Sequence, residues 1–182
     1  MNLLLNVARL YIPAFIKKKK VQELFELTAE AFQSDLPAIK NLSYSDCLKA
    51  YAHFSKTKAE EVIKLHSNLD AIKKRLYQNA YHMGEKLRKD FRIETKAEVI
   101  FLSKILYKIL RIEFFGNPSG EVVIKRCFFS QFYTPDVCRI ISSLDEGLAA
   151  GLSAGGSLEF TERITEGKNC CQATFHIKDI LS

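Results

Sequence analysis

No secretory signal is expected in this chain. Its opening apolar stretch, Met1 to Ile16, is interrupted by Asn6, Arg9 and Pro13, and its basic run, Lys17-Lys18-Lys19-Lys20, follows the apolar residues instead of leading them. That stretch is also too short to span a bilayer, which takes about 20 apolar residues. There is no internal repeat, and no low-complexity tract beyond the lysine run. Neither a phosphate-binding glycine loop nor a His-Glu-x-x-His pair is present, and no Gly-x-Ser-x-Gly nucleophile elbow is expected. The five cysteines include no Cys-x-x-Cys pair, so the spacing is not that of a structural zinc site. Five is an odd number in a chain large enough not to need staples, which points to free thiols and a cytoplasmic setting.

With 182 residues and 47% hydrophobic content, the chain is long enough to bury a core of its own. The formal charge of +6 is uneven: residues 1–100 carry 18 Lys and Arg against 12 Asp and Glu, whereas residues 101–182 carry nine of each. The basic excess is spread over several helical segments without arginine and aromatic residues interleaved, so a nucleic-acid partner is not expected. Leu3, Leu4, Val7, Leu10 and Tyr11 share one helical face ahead of the lysines. Residues 1–20 are therefore either a helix packed on its own domain or on a second subunit, or an interfacial membrane-surface contact.

Periodicity orders the rest. Leu24, Phe25, Leu27, Ala31 and Phe32 have helical spacing, closed by Asp35 and Pro37. A second helix is predicted from Ser43 or Ser45 to near Ser55. From Lys56 to Phe91 a period near 3.6 persists, with a break near Ser67-Asn68 where either residue can cap a new helix. Thr95 to about Tyr107 is a further helix. The period then becomes two: Leu110, Ile112 and Phe114 alternate with Arg111 and Glu113. After the turn cluster Gly116 to Gly120 a partner strand runs from Glu121 to Phe129. A helix follows from Thr134 to about Leu152, with Pro135 at its first position. Two more alternating runs, Leu158 to Ile164 and Cys171 to Ile177, flank a polar turn.

The expected fold is therefore α+β. A helical N-terminal half packs on an antiparallel four-stranded sheet built from two hairpins that bracket a helix. Residues 1–42 are expected to be an N-terminal helical extension and 43–182 the ligand-binding-like domain.

Chemistry-bearing residues concentrate between Cys127 and His176. Cys127 ends a strand, Cys138 lies one turn into a helix, and Cys171 is on the apolar side of the last strand while Cys170 faces the other way. Their convergence at one end of the sheet is the expectation. Three soft ligands with a water, and His176 as a further donor, would suit zinc, copper(I) or iron; otherwise the cysteines are small buried hydrophobes. Asp145, seven residues after Cys138, shares a face with Ile141, Leu144 and Leu148. A carboxylate on an apolar face must find a donor or lose acidity, as a general base requires. Tyr133 offers a phenolic donor. The candidate catalytic residues are Asp145, Cys138 and Tyr133; Cys127, Phe129, Phe132 and Cys171 are the candidate ligand contacts; Cys127, Cys138, Cys171 and His176 form the candidate metal set. Phe101, Phe114, Phe128, Phe129, Phe132 and Phe160 can line an apolar cavity or fill a dry core.

Several of these segments resemble the C-terminal part of the L-2-amino-thiazoline-4-carboxylic acid hydrolase-like family: Cys127 to Tyr133, Asp136-Val137-Cys138, Asp145-Glu146-Gly147-Leu148, Arg163 to Gly167 and Cys170 to Phe175. The layout is also similar to the 4-vinyl-reductase-like domain and the TRAPP transport subunits. The resemblance covers about 70 residues, Lys108 to Ile177, and no motif in Met1 to Glu94 matches. It implies a helical layer on an antiparallel sheet, often dimeric, with an apolar cavity. It marks Cys127, Cys138, Asp145 and Cys171 as the family-like positions. Two functions follow as expectations. One is a small-molecule-binding domain for a largely apolar ligand, with the cysteines at its mouth. The alternative is a carbon-nitrogen hydrolase that opens a small cyclic amidine or amide, with Asp145 or a thiolate-bound metal activating water.

Overall fold

The computed structural model describes residues 12–65 and 68–177. The apolar face of Leu3, Leu4, Val7, Leu10 and Tyr11 proposed for membrane-surface contact lies outside these residues. Helix α1 spans Ala14–Phe32 and closes on Gln33, whose φ of 52° is left-handed. Helix α2, Tyr44–Lys64, starts where Ser43 Oγ accepts the Asp46 amide at 3.2 Å. It does not stop near Ser55. That hydroxyl donates back to the Tyr51 carbonyl at 2.7 Å, which leaves the helical backbone intact and the serine buried. Asn68 restarts the chain as expected, its Oδ1 accepting the Ala71 amide at 3.0 Å, and α3 runs Leu69–Asp90. A capping box of Thr95 and Glu98 opens α4, Lys96–Ile109.

Strand β1 covers Ile112–Gly116, starting later than the alternation from Leu110 predicts. The last turn of α4 takes up Lys108 and Ile109, and the left-handed φ of 56° at Arg111 turns the chain into the sheet. Strand β2 is Glu121–Cys127; Phe128–Gln131, expected partly as strand, is a 3-10 turn. The single helix expected from Thr134 to Leu152 is two: α5, Pro135–Ile141, and α6, Ser143–Leu152, joined at Ser142. Strands β3, Ser157–Glu162, and β4, Cys171–His176, follow, with a 3-10 turn at Ile164–Glu166 between them.

The sheet order is β1-β2-β4-β3, antiparallel throughout. Two hairpins are thus fused by pairing β2 to β4, with Val122 opposite Ala173 and Ile124 opposite Cys171. This is the α+β architecture read from the sequence. Alternation along β4 buries Cys171, Ala173 and Phe175 on the helix-covered face and turns Gln172, Thr174 and His176 to the other.

Helix α6 crosses α3 at very close range. A Cβ on Gly147 would collide with the Tyr77 carbonyl oxygen, and one on Gly151 with the Tyr81 carbonyl oxygen. Helix α1 belongs to the same core: Val21 and Phe25 are fully buried, and Phe25 meets the Tyr51 ring edge-on at 5.2 Å. The end of α1 is satisfied from α3, with Arg75 Nε donating to the Ala31 carbonyl at 2.7 Å and Asn79 Nδ2 to that of Leu27 at 2.9 Å. Among the described residues no helix is long and apolar enough to cross a membrane.

Candidate functional site

Between the helices and the inner face of the sheet lies a cavity of about 120 Å³. Its wall draws on every helix from α1 to α6, on all four strands, and on both 3-10 turns. Leu24, Met83, Leu87, Leu106, Leu148 and Phe160 are typical of it, and the lining is overwhelmingly apolar. Cys127, Cys138 and Cys171 all line this hollow, together with Asp145, Tyr133 and Phe129. The break at Ser142 does not separate Cys138 from Asp145, because α5 and α6 both present a face to the cavity, with Ile141, Leu144 and Leu148 between and beside them.

Two of the expected contacts lie elsewhere. Phe132 points away from the cavity, packing on Phe128 at 5.3 Å and against the His53 ring at 5.1 Å. His176 stands on the opposite face of the sheet from Cys171, as the two-residue period of β4 requires. Of the six phenylalanines expected as lining, Phe129 and Phe160 serve; Phe114 instead stacks on Tyr107, centroids 4.8 Å apart.

The structure does not assemble Cys127, Cys138, Cys171 and His176 as one metal set. Among the described residues no group of three His, Cys, Asp or Glu side chains is placed to hold an ion. Burial pushes the Cys127 thiol up to about 12 and also raises Cys171, so both keep their protons near neutrality and are poor nucleophiles, since attack uses the thiolate. Cys171 is further engaged, its sulfur accepting the Ile164 amide at 3.4 Å.

Asp145 is the cavity's chemical centre. It occupies the first turn of α6, a position that suits negative charge. Its Oδ1 accepts the Tyr107 hydroxyl at 2.9 Å. Burial pushes its carboxyl up to about 6, while the Tyr107 hydrogen bond and the Arg163 guanidinium pull the other way. Asp145 is half-buried and lines the hollow, and the loss of solvation there is the largest influence on its acidity. Arg163 also lines the cavity, its guanidinium 4.4 Å over the Phe160 ring.

Tyr133 does face the hollow, but its hydroxyl is tied to Ser55 Oγ at 2.5 Å and burial holds it far above the ordinary phenol range. Beside it, Tyr51 is paired through its hydroxyl with Thr28 Oγ1 at 3.1 Å. Tyr107 and Arg163 are the polar residues that sequence reasoning passed over as site members. The signal for Tyr107 is a tyrosine on the inward row of α4, whose hydroxyl must find a partner once buried.

One sequence pattern needs separate treatment. Gly151-Leu152-Ser153-Ala154-Gly155 has the spacing of a nucleophile elbow, but it follows a helix and precedes a strand, the reverse of what an elbow requires. Ser153 is fully buried, its hydroxyl donating to the Ala149 carbonyl at 2.7 Å and accepting the Gly156 amide at 3.1 Å. It caps the end of α6. No family model matches the chain, and no curated protein does either.

Proposed function

We propose that the protein is a small-molecule-binding α+β domain whose ligand, largely apolar, occupies the cavity between the helices and the sheet. The observation that carries this reading is a hollow of about 120 Å³, walled by leucine, isoleucine and aromatic side chains and containing one carboxylate that opens into it. Interiors are otherwise packed to crystal-like density, so a void of this size sacrifices packing energy that a bound molecule restores. A cavity of comparable size and apolarity in another protein takes up a benzene-sized guest. The protonated thiols then act as soft, polarizable wall, not as metal ligands.

The expected result of native mass spectrometry on protein taken from cells is an adduct of one small apolar molecule per chain. Cys138→Phe, which places a ring in the hollow, is expected to abolish the adduct while circular dichroism stays that of the parent. An adduct that survives in this variant would put the ligand elsewhere.

A second reading rests on Asp145 alone. A carboxyl raised to about 6 in an apolar-lined hollow is suited to general-base work, as in hydrolysis of a small cyclic amidine or amide. Under that reading Asp145 would take the proton from water as it attacks the ring carbon and return it to the ring nitrogen as the carbon-nitrogen bond breaks.

A further inference from the structure

The cavity is largely apolar, and three polar groups in its wall, those of Asp145, Arg163 and Thr165, are not spent on each other. Asp145 uses Oδ1 for Tyr107, while Oδ2 has no hydrogen-bond donor among the described residues. Arg163, also in the wall, lies over the Phe160 ring and forms no ion pair among the described residues. Its charge favours the ionised form of Asp145, and no ion pair joins the two. Two residues on, the Thr165 hydroxyl is buried in the same wall with no partner. Buried polar groups are almost always hydrogen-bonded, so the orphaned Thr165 hydroxyl, in a wall that also carries an open carboxylate oxygen and an open guanidinium, points to a group that the protein does not itself supply.

The signs of the two charges select the chemistry of that group. A ligand ammonium on Asp145 would sit beside Arg163, and a ligand carboxylate on Arg163 would sit beside Asp145; each brings a like charge into an apolar hollow, where repulsion is strong and desolvating the ligand's own charge is costly. A pure hydrocarbon leaves both residues unsatisfied. A neutral group with an N–H on one edge and a carbonyl on the other meets both charges and carries none of its own.

Resting on the binding reading above, we propose that the ligand is an apolar body bearing a carboxamide or lactam, its N–H donated to Asp145 Oδ2 and its carbonyl accepting from Arg163. Charge-assisted hydrogen bonds of this kind are about twice as strong as neutral ones, and a site built to make them discriminates against the isostere that cannot.

Calorimetric titration of the full chain with four probes of similar size, toluene, benzamide, benzylammonium and benzoate, tests this. Benzamide is expected to bind at least about tenfold more tightly than each of the other three. In Asp145→Asn and in Arg163→Met the benzamide-to-toluene ratio is expected to collapse to within about threefold of unity. Folding of both variants is checked by circular dichroism, and the two remove opposite halves of the recognition, so one remaining folded is sufficient. Toluene binding as well as benzamide overturns the amide assignment and leaves the apolar-ligand reading standing. Preference for benzylammonium or benzoate overturns the neutral-group argument. No binding of any of the four overturns this assignment and the apolar-ligand reading with it.

Discussion

Asp145 is held at a cost, and the sign of that cost can be worked out. Its native carboxyl near 6 lies above the ordinary aspartate value of about 3.9, so the folded chain binds the proton more tightly than the unfolded chain. Protonation therefore stabilises the fold: this contribution is fully present below about pH 4 and is lost as pH rises through 6. Asp145→Asn keeps an oxygen for Tyr107 and removes the charge. The variant is expected to match the parent in stability near pH 4 and to exceed it above pH 7 by on the order of 2 kcal/mol, or roughly 4–8 °C in Tm. Thermal melts of the two proteins at pH 4, 5, 6 and 7.5 check this. A constant offset across that series would mean that the ionised carboxylate is not what the hollow disfavours. A side chain that lowers stability at neutral pH and opens into a cavity is the kind of exception to good packing that binding sites produce.

At the scale of elements, the crossing of α6 on α3 fixes where Asp145 points. Gly147 and Gly151 lie four apart, on one face, and each lets the α6 backbone approach a carbonyl of α3, at Tyr77 and Tyr81. Gly147→Ala must push the two helices apart, so a loss of about 3 kcal/mol is expected, together with weakened probe binding because the wall carrying Asp145 and Leu148 moves with α6. Urea unfolding checks the first and calorimetry the second; a variant as stable as the parent would show that the crossing is not close-packed in solution.

The elements themselves were largely legible. Ser43, Asn68 and Thr95 signalled helix starts because each has a side-chain oxygen at the position where free amides need one, and the two-residue period marked all four strands. Ser55 misled because a serine inside a helix can satisfy itself on the carbonyl four residues back, and nothing in the local sequence tells that from a stop. The start of β1 was displaced for a related reason: Lys108 to Arg111 fits both a fraying helix and an alternating strand, and the left-handed turn at Arg111 is set by the meeting of α4 with the sheet. Within the site, Asp145 was readable as a carboxylate on an apolar face. Tyr107 and Arg163 were not, since their relation to Asp145 exists only once α4, α6 and the β3-β4 connection are brought together.

On the scale of the whole molecule, the cavity ties together parts of the chain that sequence composition separates. The sequence reads residues 1–42 as an N-terminal helical extension. Yet Leu24 and Lys20 of α1 help line the hollow, and Val21 and Phe25 are fully buried against α2. Thr28, buried in the same helix, gives Tyr51 its hydrogen-bond partner. Removing α1 would therefore open one wall of the cavity, strand the Tyr51 hydroxyl and expose the rings of Phe54 and Tyr51 that pack on Phe25. Burying a phenylalanine, a leucine and a valine is worth about 1.5–3 kcal/mol each, which together approaches the whole stability of an average domain. A fragment comprising residues 43–182 is thus expected not to fold: dispersed amide proton signals should be lost and an apolar dye should bind strongly, while the intact chain melts in a single transition that includes α1. Dispersed signals from the isolated fragment, with its probe binding intact, would instead make α1 a dispensable cover and confine the cavity's essential walls to the residues after it.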